Sequence, residues 1–132
     1  MESNKVFVYG TLMTVMPNHS IVLPYLKSKQ AGKTRGLLYD LPFGYPAVIK
    51  GPGTVLGEVF ELENIAAALE VLYRLEGFVG EGCDNYYDRV VQEVQTTSGE
   101  WMQAYIYLWA NPEKLQEFGT LLPQGDWRNK LS

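Results

Sequence analysis

The apolar residues of this chain fall into short runs, most of them rich in β-branched and aromatic side chains and closed by glycine or proline. The first is VFVYGTL, residues 6–12, in which Val6, Phe7, Val8 and Tyr9 suit a pleated, buried backbone and Gly10 permits a sharp exit. An irregular stretch follows, with a short helix beginning near Asn18, whose side chain can cap it, and Pro24 limits how far that helix runs. Further strands are predicted over about 34–39, 54–62, 86–95 and 100–110, the last two joined across the TTSG turn. In the loop DLPFGYPAV, Pro42, Gly44 and Pro46 favour turns over regular pairing. A second short helix starts near Pro112, and the tail GDWRNKL is expected to be irregular.

One segment has helical periodicity. NIAAALEVLYRLEG, residues 64–77, has Asn64 as its cap and Gly77 as its stop. Ile65, Leu69 and Leu72 recur at spacings of four and three, which places them on one narrow stripe. Glu76 lies four positions after Leu72 and falls in the middle of that stripe, whereas Glu70 and Arg74 fall on the opposite side. A carboxylate on a core-facing stripe is costly unless paired or protonated, and the carbonyl end of the helix also repels negative charge. Both effects disfavour the ionised form, so the Glu76 carboxyl is expected above its ordinary range, where a general acid/base works near neutral pH. The competing reading is a side chain that emerges at the frayed helix end and meets water.

Five or more strands with one or two helices predict an α+β domain built on a small twisted sheet or barrel. The last strand supports closure because both faces are apolar, with Trp101, Tyr105, Tyr107 and Trp109 on one and Met102, Ala104, Ile106 and Leu108 on the other. At 132 residues, without repeats or linker-like tracts, the chain is expected to form a single domain, 1–132, with a sizeable core. A hydrophobic fraction of 46% and no long apolar run argue against a membrane protein. MESNKVFVYG lacks a basic start and apolar stretch, so a cytoplasmic protein is expected. One cysteine, Cys83, and one histidine, His19, exclude an internal disulfide and a soft-ligand zinc site, and no metal is expected. The net charge of −4 argues against a nucleic-acid binder and favours a small-molecule substrate.

Several blocks together resemble the γ-glutamylcyclotransferase family, including its bacterial members and the γ-glutamylamine cyclotransferases. They are VFVYGTL (6–12), PNHS (17–20), GLLYDLPFGYPAVI (36–49), GEVFEL (57–62), LYRLEGF (72–78) and YDRV (87–90). The resemblance implies a small mixed β-barrel with one long and one or two short flanking helices. It implies an acyltransferase reaction without a cofactor, in which the α-amine of a γ-glutamyl group attacks its own γ-carbonyl to give 5-oxoproline and a free amine or amino acid. By the same resemblance Glu76 is the acid/base, Tyr9, Gly10, Thr11 and Leu12 form the substrate cradle, and Tyr87 and Tyr105 line the pocket. An aromatic stripe of this kind is more often core than pocket, so core packing competes with a pocket role for Tyr105 and is favoured for Tyr107. Cys83 has no histidine near it in sequence and the family uses no nucleophilic cysteine, while His19 reads as packed or hydrogen-bonded within its helix. Two other functions fit the same blocks: a non-catalytic small-molecule-binding or regulatory protein, and removal of a γ-glutamyl group in a biosynthetic pathway.

Overall fold

A computed structural model describes residues 4–14, 16, 18–42, 44–76 and 87–129; the side chains at 73–76, 114, 116 and 129 lie outside that description. The elements in order are β1 (Lys5–Val8), α1 (His19–Val22), β2 (Leu26–Asp40), β3 (Pro46–Leu62), α2 (Ile65–Glu76), β4 (Tyr87–Thr96), β5 (Trp101–Trp109), α3 (Pro112–Phe118) and β6 (Thr120–Leu121). The sheet runs β3-β1-β5-β4-β2-β6, and β2 also pairs with β3, so β1 to β5 close into a five-stranded barrel with β6 attached outside. This agrees with the α+β sheet or barrel expected from the strand count and with the small mixed barrel that the family resemblance implies. The mixed character comes from one junction, the parallel pairing of β1 with β5 at Val6 and Tyr105; the other pairings are antiparallel.

The apolar runs are buried on both faces of the barrel wall, one against the interior and one against the covering helices. Phe7, Val55, Val59, Phe60, Val94, Ala104 and Ile106 are buried, and α2 covers the barrel with Ala68 and Leu72 while Ile65 and Leu69 pack at the margin. The predicted stripe of α2 is therefore observed through Leu72, and Glu70 is exposed as expected. The helix starts as predicted, with the Asn64 carbonyl accepting from the Ala68 amide at 3.1 Å. It stays regular through Glu76, so that residue sits one turn beyond Leu72; its side chain, together with Gly77 and Cys83, lies outside the described residues.

Four expectations need correction. β2 begins at Leu26, eight residues before the predicted strand, because its polar outer half is held by a ladder to β3 from Leu26↔Leu62 to Arg35↔Thr54 and needs no apolar alternation. β3 begins at Pro46: the turn closes earlier, through the Leu41 amide and Tyr45 carbonyl at 3.2 Å, and Pro46 takes the first strand position, where its missing N–H is tolerated. The tail is docked: Trp127 is 5% exposed in a short 3-10 turn, and its indole N–H donates to Asp40 at 3.1 Å. On β5, Trp101 is 64% exposed, so the strand's aromatic face is wet at its N-terminal end although Tyr107 is buried. Among the described residues, no helix is long and apolar enough to cross a membrane.

Candidate active site

The chain leaves β1 at Val8 and turns through Tyr9, Gly10, Thr11 and Leu12. Tyr9 and Leu12 are buried, and the Tyr9 hydroxyl donates to the Tyr107 carbonyl of β5 at 2.5 Å. The Met13 amide donates to the Gly10 carbonyl at 3.1 Å, which closes the turn. Gly10 is required here by space: a Cβ would stand 2.6 and 2.7 Å from Cγ and Cδ of Pro46. Pro46 is in turn held by Tyr87, whose hydroxyl donates to the Pro46 carbonyl at 2.7 Å. Tyr87 is buried and packs edge-on against Trp109 at 5.3 Å, with Tyr45 at 6.4 Å. Gly10, Pro46 and Tyr87 thus form one continuous support.

A second support comes from the start of α1. Asn18 was expected to cap this helix; it occupies the cap position but makes no side-chain cap bond. Its amide side chain donates to Thr11 Oγ1 at 2.9 Å, and its backbone N–H donates to the Thr11 carbonyl at 2.8 Å. The bond to Thr11 is made by the side-chain NH2, and with the side chain so turned its oxygen makes no bond to the helix amides. His19 Nδ1 lies 2.9 Å from the Leu12 carbonyl, and its ring meets Phe60 edge-on at 5.6 Å. The carbonyls of Gly10, Thr11 and Leu12 are therefore all engaged, while among the described residues the Thr11 and Leu12 amides make no hydrogen bond. Two neighbouring donors without acceptors suit an anionic or carbonyl oxygen.

The sequence-predicted residues separate into two groups. Tyr9 to Leu12 and Tyr87 converge through Pro46, whereas Tyr105 sits beside Val6 with the Arg89 guanidinium 5.3 Å above its ring. α2, the carrier of Glu76, lies against α1 and hence on the side from which Asn18 and His19 grip the loop. Sequence reasoning missed Pro46, read there only as a turn residue, and gave Glu58 no role of its own although it lies inside the GEVFEL block. Glu58 accepts from the Thr14 amide at 2.6 Å and from the Thr14 hydroxyl at 2.9 Å. Among the described residues, no three His, Cys, Asp or Glu side chains gather as a metal site. A cavity of about 440 Å³ lies elsewhere, between Gly32, Gly57, Thr96 and Arg128; the Arg128 guanidinium there is paired with Asp126 at 2.9 Å.

The model of the family described as gamma-glutamyl cyclotransferase, AIG2-like, matches residues 6–129. The chain belongs to this family. Among γ-glutamyl cyclotransferase, AIG2-like relatives, the chain is 32% identical to the gamma-glutamylcyclotransferase family protein ytfP of Citrobacter rodentium, over 96% of each chain. It is 29% identical to the mouse gamma-glutamylaminecyclotransferase, over 77% of this chain and 75% of the relative. The crystal structure of an AIG2-like protein from mouse superposes with a TM-score of 0.71 at 25% identity, covering 96% of this chain and 89% of that one. The matched span runs from β1 through the docked Trp127. The family's sequence pattern therefore covers the whole barrel as well as the loop.

Proposed function

We propose that the protein is a γ-glutamyl cyclotransferase that converts a γ-glutamyl amine or peptide into 5-oxoproline and a free amine or amino acid. The observation that carries this reading is the turn at Tyr9–Leu12, where the Gly10, Thr11 and Leu12 carbonyls are tied back and, among the described residues, the Thr11 and Leu12 amides make no hydrogen bond. Family membership and the name of the mouse relative support the substrate class.

In the reaction the substrate's α-amine attacks its own γ-carbonyl carbon. A C–N bond forms, the carbonyl oxygen becomes an oxyanion, and the bond to the leaving nitrogen then breaks. An α-amino group with a pKa near 8 is mostly protonated at neutral pH, so a base must first remove a proton. Glu76, on the last turn of α2, takes that proton and returns it to the leaving nitrogen; the second proton, shed by the attacking nitrogen as the lactam forms, passes back to Glu76 and leaves with the released amine as its ammonium. The Thr11 and Leu12 amides hold the oxyanion or the substrate's α-carboxylate. Tyr9 anchors the turn to β5 and Tyr87 sets it through Pro46, while Tyr105, apart from this group beside Val6, has no role in the proposed steps.

The test is incubation with a panel of γ-glutamyl amines and γ-glutamyl dipeptides, following 5-oxoproline and released amine together. The proposal expects the two products in equal amounts from at least one compound. Glutamate in place of 5-oxoproline would point instead to hydrolytic removal of the γ-glutamyl group, and binding without turnover to a non-catalytic protein.

A further inference from the structure

We infer that Glu58 is the positioning residue of the Tyr9–Leu12 turn, acting as a two-pronged acceptor that fixes where the turn ends; its kinetic consequence rests on the cyclotransferase reading. Glu58 stands directly opposite Val8 in the β1–β3 ladder, so it faces the residue from which the turn departs. Its carboxylate reaches Thr14, the residue at which the turn has come back, with one oxygen on the backbone N–H and the other on the hydroxyl, at 2.6 and 2.9 Å. The start and the end of the turn are thereby referred to one residue of one strand. Lys29, on the neighbouring β2, donates to the same Thr14 hydroxyl at 3.0 Å, which steadies the pair from the far side.

Three facts favour a positioning role. The contacts of Glu58 go to the outer end of the turn and not to the Thr11 and Leu12 amides, so it holds the cradle without occupying it. The next residue back, Gly57, has no room for a side chain against β1: a Cβ there would stand 2.9 Å from the Phe7 ring, besides meeting the Val8 carbonyl head-on. The strand bearing Glu58 is therefore seated firmly against the strand bearing the turn. Finally, Asn18 and His19 hold Thr11 and Leu12 from the α1 side, so Glu58 supplies the opposite anchor that a fixed pair of amides needs.

The shorter bond uses the backbone amide of Thr14, which a glutamine at position 58 still satisfies with its carbonyl oxygen while its NH2 donates to the hydroxyl. Charge at Glu58 is thus dispensable and an acceptor is not. Glu58→Ala is expected to lower kcat/KM by about 10- to 100-fold, mainly through kcat, because the amides are displaced relative to the reacting carbonyl. Glu58→Gln is expected to recover most of that loss, and Thr14→Val, which keeps the amide bond, to cost only a few-fold. Native-state exchange of the Thr14 amide gives a readout that needs no substrate: it should accelerate by roughly tenfold or more in Glu58→Ala and return towards wild type in Glu58→Gln. Equal impairment of the Gln and Ala variants would overturn the proposal in favour of a charge role, and unchanged Thr14 exchange in Glu58→Ala would overturn it outright. If the wild-type protein releases no 5-oxoproline, the cyclotransferase reading fails, and the exchange ordering by itself still decides the clamp.

Discussion

Gly10→Ala probes the support behind the turn. The new methyl would stand 2.6 and 2.7 Å from Cγ and Cδ of Pro46, short of the 3.4 Å of ordinary contact by about 0.7–0.8 Å. A proline ring has no rotamer that would carry it away. Its backbone is fixed on two sides, by pairing with Asp40 in the β2–β3 ladder and by the Tyr87 hydroxyl on its carbonyl. The displacement therefore falls on the turn. Overpacking of this kind costs about 1–3 kcal/mol, and for a chain of this length each kcal/mol lowers Tm by roughly 4 °C. Thermal unfolding followed by circular dichroism should thus show a drop of about 4–12 °C. A displacement approaching 1 Å at a reacting centre costs on the order of 100-fold in rate, so 5-oxoproline release should fall more than stability does. Adding Pro46→Ala removes both clashing carbons, and the double variant should recover a large part of each loss, with a coupling of about 1 kcal/mol or more. A Gly10→Ala protein that melts and turns over like wild type, or one that Pro46→Ala does not rescue, would refute the reasoning.

Two further outcomes are expected. Tyr87→Phe removes the donor to the buried Pro46 carbonyl and should cost about 1–2 kcal/mol in denaturant unfolding, with a smaller loss of turnover than Gly10→Ala because Pro46 keeps its pairing with Asp40. The Ser28 hydroxyl holds the Glu61 carboxyl below its ordinary value against the opposing effect of desolvation, with smaller help from Asn4, Lys27 and Lys5. With the folded value lowered, these contacts favour the fold at neutral pH and are lost as pH falls through that value. An NMR titration should place the Glu61 midpoint below that of a free glutamate side chain, and Ser28→Ala should move it upward.

The parts of the fold that were legible were those whose apolar residues had a period. The strand ending at Leu62, the helix from Ile65 and the hairpin across the TTSG turn follow directly from alternation, the 3.6-residue stripe and a glycine that adopts a φ of 91°. The first half of β2 was hidden because LKSKQAGK is almost wholly exposed and owes its extended form to a ladder with residues far along the chain. Pro46 was hidden for the opposite reason: proline signals a turn locally, and only the β2 partner and the Tyr87 hydroxyl make it a strand residue that props Gly10. Asn18 was assigned the bond its residue type usually makes, but Thr11 offered another. Resemblance, not periodicity, picked out Tyr9 to Leu12 as a cradle. Two amides that meet no acceptor among the described residues are a property of the folded turn and leave no mark on residue type.

The central claim is that a carboxyl at the end of α2 moves the proton in a cyclising aminolysis. Its most direct test is the rate of 5-oxoproline formation by Glu76→Gln beside wild type, on whichever γ-glutamyl compound the wild-type protein turns over, with melting curves to confirm that the variant folds. Loss of general acid/base catalysis by one group amounts to about 100- to 10,000-fold. A folded Glu76→Gln protein slowed to that extent is the predicted result, and one that forms 5-oxoproline as fast as wild type would contradict the account.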